Sequence, residues 1–169
     1  MSKISEKTKK NAKGEATLQQ KVLVYRPELC TGCTYCMTAF SYFHFGIASY
    51  EKSFIKILED PDKPLSFIGA YCAHCETAAC VAACPTEAMH KNEKTGIVRV
   101  NAMLCIMCQN CSAACPISHP YYEEDNHQAV KCDQCDGNPL CVQQCPTGAI
   151  TYEIRMDARR KYGVIKSVR

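Results

Sequence analysis

Hydrophobic positions in this chain come in short bursts rather than long stripes. Lys21 to Leu29 (KVLVYRPEL) predicts a strand leading into the first cysteine. Ser53 to Asp60 (SFIKILED) sets Phe54, Ile55 and Ile57 among polar residues and stops at Pro61, as a half-buried strand does. Pro85 to Leu104 (PTEAMHKNEKTGIVRVNAML) predicts a turn over Asn92 to Gly96 and a strand over Ile97 to Val100. Pro146 to Met156 (PTGAITYEIRM) repeats that scheme. Small residues crowd the segments between, at Ala78-Ala79, Ala82-Ala83 and Ala113-Ala114, and suit short helices that approach another group closely. No run approaches the ~18 apolar residues of a membrane helix.

Such bursts make a thin core. The chain has 169 residues, enough for one compact domain or two small ones, and its 47% hydrophobic content includes 15 cysteines and no tryptophan. A fold this short of apolar bulk relies on something bonded to its thiols. An odd cysteine count leaves a thiol over from any pure disulfide framework. Residues 1–20 are polar and Lys-rich without an apolar stretch, and paired arginines occur only at Arg159-Arg160. The expected compartment is therefore the reducing cytoplasm, where clustered thiols mean metal. A net charge of +3 is too mild to argue for nucleic acid. Basic residues gather at the ends: Lys3, Lys7, Lys9, Lys10 and Lys13, then Arg155, Arg159, Arg160, Lys161, Lys166 and Arg169. They read as solvated tails, or as an arm that wraps a partner subunit.

The cysteines form an internal repeat that organises the chain. The first group is Cys30, Cys33 and Cys36, with Phe40 where a fourth cysteine would stand. The second is Cys72, Cys75, Cys80 and Cys84, followed by Pro85. The third is Cys105, Cys108, Cys111 and Cys115, followed by Pro116. The fourth is Cys132, Cys135, Cys141 and Cys145, followed by Pro146. A C-x2-C-x2-C loop can offer three thiolates to one cubane, and in two-cluster ferredoxins the proline-flanked fourth cysteine ligates the other cluster. Zinc is the rival reading, but structural zinc sites use four ligands, typically two C-x2-C pairs. Three proline-terminated runs of four are better explained by iron–sulfur clusters.

Among the other polar residues, His74 sits inside the Cys72–Cys75 loop, where it is expected to donate a hydrogen bond or face solvent. His44 follows Phe40 by one helical turn and is a candidate extra metal ligand. Asp133 and Asp136 are candidate oxygen ligands, set against the plainer reading of solvated loop carboxylates. His90, His119 and His127 read as surface or turn residues, and Tyr42, Phe43 and Phe45 as core or interface. No G-x-G-x-x-G or phosphate-binding loop occurs.

CTGC, CAHC…CVAACPTEAM, CIMCQNCSAACP and KCDQCDGNPLCVQQCPTGAI together resemble the four-cluster, dicluster-ferredoxin-type electron-transfer subunits, over nearly all of Lys21 to Met156. Within that group the chain looks most like the iron–sulfur partners of tungsten aldehyde oxidoreductase-family enzymes, including the small subunit of tungsten-dependent benzoyl-CoA reductases. The resemblance implies an α+β fold of two ferredoxin-like lobes. Residues 1–20 would be a disordered or partner-bound tail and 21–156 the iron–sulfur domain. Lobe A would take 21–60 plus 120–156, lobe B 61–119, and 157–169 would be a basic tail. It implies nested ligand sets: Cys30, Cys33, Cys36 and Cys145; Cys72, Cys75, Cys80 and Cys115; Cys105, Cys108, Cys111 and Cys84. These would hold three [4Fe-4S] clusters. The last set, Cys132, Cys135 and Cys141, meets Phe40 instead of a thiol. It is expected to hold an altered cluster: [3Fe-4S], or [4Fe-4S] with water, His44 or a carboxylate, with zinc or no metal as the alternatives. The implied function is single-electron relay in anaerobic metabolism between a larger tungsten or molybdenum catalytic subunit and another carrier, in a hetero-oligomer without membrane insertion. A cluster-stapled docking subunit and an enzyme with an open-site cluster are the alternatives. The chain alone is expected to catalyse nothing.

Overall fold

The computed structural model describes residues 20–123 and 127–155; the expected tails, apart from Gln20, lie outside them, as does Met156. The architecture is α+β, with four two-stranded antiparallel ladders among the described residues. Strand β1 (Lys21–Tyr25) pairs with β8 (Ile150–Ile154), setting Lys21 opposite Ile154 and Tyr25 opposite Ile150. Alternation along β1 sends Val22 and Val24 to one face and Leu23 to the other, and all three are buried. The ladder thus ties the two ends of the described chain together. The other ladders join neighbours: β2 (Lys56–Glu59) with β3 (Phe67–Ala70), β4 (Met89–Lys91) with β5 (Val98–Val100), and β6 (Tyr121–Glu123) with β7 (Gln128–Val130).

Strand β1 ends four residues earlier than its hydrophobic run predicts. Pro27 has no N–H to give a ladder and opens a tight 3-10 turn over Pro27–Leu29, closed by Cys30 N–H donating to Pro27 O at 3.1 Å. Gln20, at the end of the expected tail, is buried. Its Nε2 donates to His74 O (2.8 Å) and Gly96 O (2.9 Å), and its own carbonyl accepts from Arg155 N.

The sequence repeat is also a backbone repeat. The third residue of every C-x2-C is left-handed: Gly32 (φ 71°), His74 (44°), Met107 (61°) and Gln134 (58°). Such a residue turns successive amides toward one concave side, a shape that suits anionic sulfur. Only the first of the four is glycine, and there an added Cβ would run into the Phe67 ring.

Each motif then enters a helix. These are α1 (Tyr35–Phe45), α2 (Ala79–Ala82), α3 (Asn110–Ala114) and α4 (Leu140–Gln143), with α1 packed on α4 and α2 on α3. Three of them have four or five residues, whereas α1 has eleven. The residue before a proline is pushed out of the helical region, so at Cys84-Pro85, Cys115-Pro116 and Cys145-Pro146 the helix ends one or two residues short of the cysteine. Position 41 is Ser41, and α1 runs on until Gly46 caps it at φ 71° with its N–H on Tyr42 O at 2.8 Å.

Candidate metal centres

Thiols from different motifs converge. Cys105, Cys108 and Cys111 line one cavity together with Cys84 from the second motif, among Met89, Val100 and Ala129. Cys30, Cys36 and Cys145 share the core built around Leu23, Met37 and Ile150. Burial pushes the Cys36 thiol up to about 12, and Cys33, Cys145 and Cys30 beside it add to the shift. Burial also raises Cys80; Lys131 opposes it, while Cys72, Cys115 and Cys75 reinforce it. Cys141 is pushed up to about 12 by burial, then by Cys135 and Cys36. Cys132 is raised by burial, then by Cys72, and also feels Cys141. Soft, closely spaced thiols in sets of three or four are the donor chemistry that iron–sulfur clusters take, so the residues present fit such a group.

Cys84 and Cys145 stand apart from the buried thiols. They open matching segments, CPTEAM and CPTGAI. Burial works against ionisation at both, yet hydrogen bonds outweigh it and hold both thiols below their usual range. At Cys84 the sulfur accepts from Met89 N (3.4 Å) and lies 3.8 Å from Thr86 Oγ1; at Cys145 Thr147 Oγ1 lies at 3.7 Å. Both loops therefore favour the thiolate, the form that binds metal. Cys115, with Ile117 where the other two have threonine, lacks the hydroxyl contact and accepts from His119 N at 3.5 Å.

At the fourth motif, Phe40 fills the place where the pattern leads one to expect a ligand. It is 3% exposed and packs with Phe54 and Cys132, its ring 4.8 Å from that of Phe54. His44, one turn on, stacks on Phe40 at 4.2 Å and 25°, and its Nε2 lies 3.6 Å from Cys135 Sγ. Among the described residues, His44, Asp133 and Cys135 form the one group of three metal-ligating atoms within 4.8 Å of each other. Asp133 Oδ1 already accepts from Cys135 N at 2.9 Å. Asp136 is drawn outward into an ion pair with Arg99 on the exposed surface.

Two histidines are more buried than a surface position would be. His74 does not meet solvent: it is 1% exposed, its Nδ1 accepts from Val98 N at 2.9 Å, and its Nε2 N–H remains a buried donor. Burial, then Lys131, His119, Arg155 and Lys91, push its pKa down to about 2, so the ring is neutral and carries its proton on Nε2. His119 is not a surface residue. It is half-buried against the Phe54 edge, its Nε2 accepts from Cys132 N at 3.5 Å, and burial, then Lys131 and Lys56, pull its pKa down to about 4. His90 and His127 are exposed as expected. Tyr42 and Phe43 project from α1 at 67% exposure each, while Phe45 is half-buried.

Several polar residues beside the thiols carry no motif signal. Gln134 occupies the position in its loop that His74 occupies in the second motif, and it too is 1% exposed; its Oε1 accepts from Tyr152 OH at 2.9 Å. Each retains a buried Nε2 donor group without a protein acceptor. Buried Lys131 donates to Val98 O (2.8 Å) and Cys132 O (2.7 Å), and buried Arg155 to Ala73 O (2.7 Å) and His74 O (2.8 Å). Two buried cations and two buried N–H donors give these thiol loops a positive surround, as anionic sulfur requires. In the sequence they look like ordinary residues flanking a motif.

Residues 64–155, more than half of the chain, match the family described as the 4Fe-4S dicluster domain. The chain belongs to that family. It is 39% identical over 123 residues to the polyferredoxin-like subunit of an aliphatic sulfonate oxidoreductase from Pyrococcus furiosus, across 73% of this chain and 70% of that one. It is 33% identical over 131 residues to the beta subunit of NADH-dependent phenylglyoxylate dehydrogenase from Aromatoleum evansii, across 77% of this chain. There it spans only 29% of the relative's length. Among solved structures, the active site complex BamBC of benzoyl coenzyme A reductase superposes with a TM-score of 0.46 at 21% identity, over 85% of this chain and 92% of that one. No helix among the described residues is long and apolar enough to cross a membrane.

Proposed function

We propose that the chain is an electron-transfer iron–sulfur subunit, relaying single electrons between a larger catalytic oxidoreductase subunit and another redox carrier. The observation that carries this reading is that the thiol sets adjoin in a row. Cys36 of the first set lies within electrostatic reach of Cys141 of the fourth. Cys132 of the fourth lies within reach of Cys72 of the second. Cys80 of the second packs in one core with Cys84, Cys105 and Cys111. The order of sites is thus first, fourth, second, third. At the two ends, Cys33 and Cys108 are exposed, as are Tyr35 beside the one and Ile106 and Met107 beside the other.

The ligand sets in this reading are Cys30, Cys33, Cys36 and Cys145; Cys72, Cys75, Cys80 and Cys115; and Cys105, Cys108, Cys111 and Cys84. Each holds a [4Fe-4S] cluster, which supplies one-electron transfer with little rearrangement and no open position for a substrate. Cys132, Cys135 and Cys141 hold a fourth, altered iron–sulfur cluster. The shared cavity of Cys84 with the third motif, and the influence of Cys115 on Cys80, support the exchanged pairing. Lys131, Arg155, His74 and Gln134 offset the negative charge and exclude water. The two-lobe division follows the same pairing: α1 and α4 with the β1–β8 ladder form lobe A (21–60 plus 120–156), and α2 with α3 forms lobe B (61–119).

The partner would be a large tungsten or molybdenum subunit in a cytoplasmic hetero-oligomer. The relatives named as an oxidoreductase subunit and a dehydrogenase subunit support a catalytic partner subunit; the metal and the compartment are part of the proposal. The alternatives are a docking scaffold merely stapled by clusters and an enzyme with an open-site cluster. An EPR redox titration of the purified complex separates them: relay clusters titrate and reoxidise with substrate, whereas staples stay silent. If the catalytic subunit stripped of this chain still reduces the physiological carrier at full rate, the relay reading is wrong. Cys84→Ala should remove the cluster of Cys105, Cys108 and Cys111 and spare that of Cys72, Cys75 and Cys80; the reverse loss would refute the exchange.

A further inference from the structure

The fourth set lacks a thiol at position 40, and two sequence changes there act together. Phe40 replaces the ligand, and Ser41 replaces the proline that ends the helix in the other three motifs. Ser41 is fully buried and locked in place: its Oγ donates to Thr38 O at 3.1 Å and accepts from Ser49 N at 3.0 Å. Without the proline, α1 gains a further turn, and residues four apart share a face. That extra turn brings His44 directly past the missing thiol, with Phe40 stacked beneath its ring as a support.

We propose that His44, through Nε2, is the fourth ligand of the iron–sulfur cluster held by Cys132, Cys135 and Cys141. The inference rests on the relay reading above and names the donor at its altered site. Nε2 is 3.6 Å from Cys135 Sγ. Donors on neighbouring corners of one cubane stand farther apart than that, so the imidazole must pivot about its Cα–Cβ and Cβ–Cγ bonds. An open cleft lined by His44, Phe45, Phe54, Val130, Lys131 and Asp133 gives it room.

The competing donors fit less well. Asp136 is committed to Arg99 at the surface. Asp133 caps the backbone N–H of Cys135. A lone cation gripped by His44, Asp133 and Cys135 would leave Cys132 and Cys141 unused, although both are buried within reach of each other. A cluster employs all three thiols and the imidazole. Imidazole is neutral where thiolate is anionic, so this cluster carries one negative charge fewer than its neighbours and its potential is the higher for it, as with histidine-ligated [2Fe-2S] centres.

The test uses the full chain, purified anaerobically with its native partner from cells fed 15N-histidine or unlabelled histidine. Pulsed EPR of the reduced sample should show strong coupling to one directly bound nitrogen, changing with the isotope and absent in His44→Ala. In His44→Ala the fourth site should lose one iron and give a [3Fe-4S] signal, with the other three signals unchanged. His44→Cys should restore four irons and lower the midpoint potential of that cluster, a rescue that a purely packing role for the ring would not show. Zinc in place of iron at this set, strong nitrogen coupling that survives His44→Ala, or a fourth signal and potential unmoved by His44→Ala would overturn the assignment. So would the weak coupling of a nitrogen that only hydrogen-bonds to Cys135. If none of the clusters titrates, the relay reading fails instead; if three titrate and the fourth lacks nitrogen, only the histidine assignment fails.

Discussion

The first and third motifs start alike. Each follows a 3-10 turn that closes on its first cysteine, Cys30 N to Pro27 O at 3.1 Å and Cys105 N to Ala102 O at 3.2 Å. Each has C-x2-C-x2-C spacing and passes through a left-handed residue into its helix, Thr34 (φ 59°) and Gln109 (φ 58°). They part only at the far end. Helix α3 stops after five residues, with Cys115 extended before Pro116; α1 continues to eleven and finishes at Gly46. In this repeat the residue after the fourth position decides where the helix stops, and the stop decides which side chain stands at the neighbouring site. Changing two adjacent residues exchanges a thiol for an aromatic shelf with an imidazole above it.

Five variants would break or sharpen that comparison. Phe40→Ala has the largest expected effect. It removes a ring packed on Phe54 and Cys132, at a cost of about 3–5 kcal/mol, and chemical denaturation of the anaerobic protein should show it. A loss below about 1 kcal/mol would mean that Phe40 does not pack the core it occupies here. Ser41→Pro comes next, at about 3 kcal/mol, because a helix-interior proline deletes a backbone hydrogen bond and clashes with the preceding turn. Iron analysis should show the loss confined to the fourth set. Phe40→Cys with Ser41→Pro grafts the end of the third motif onto the first, so it should recover a fully thiolate-ligated fourth cluster. If the double variant is as iron-poor as Ser41→Pro alone, helix length is not what separates the two motifs.

Gly46→Ala should cost about 1 kcal/mol, since the position is left-handed and the added methyl meets open space. Thermal melts should register it, together with partial loss of whatever His44 contributes. Asp136→Asn should be nearly silent, within about 0.5 kcal/mol, because its pairing with Arg99 is solvent-exposed. Unchanged iron content would confirm that this carboxylate is no ligand.

Much of this was legible in the sequence because cysteine spacing is a chemical constraint that leaves little freedom. The repeat and the odd residue at Phe40 were readable, and so was His44 as the residue one turn along. Ser41 could have been read the same way, since a missing proline predicts a longer helix. Gln134 and Lys131 could not, because their burial depends on neighbours far along the chain: Tyr152 for the one, Val98 for the other. The acceptor role of His74 Nδ1 could not be read either, because it is fixed by the amide of Val98. The short strands Phe67–Ala70, Tyr121–Glu123 and Gln128–Val130 carried too few residues for a period to show.

The pairing of Lys21 with Ile154 carries a further consequence for biosynthesis. At ~5–20 residues per second, the ribosome delivers β8 on the order of ten seconds after β1. Through that interval Val22, Leu23 and Val24 have no ladder to join, and under the proposed ligand sets Cys30, Cys33 and Cys36 wait as open thiols for Cys145. The hairpin of Met89–Lys91 with Val98–Val100 needs only a short loop and can close early, with the middle motifs beside it. The middle of the molecule can mature while its ends are still being made. On that pairing the first motif is translated before the other three and finished last, and for those seconds its thiols are the ones left open to oxygen.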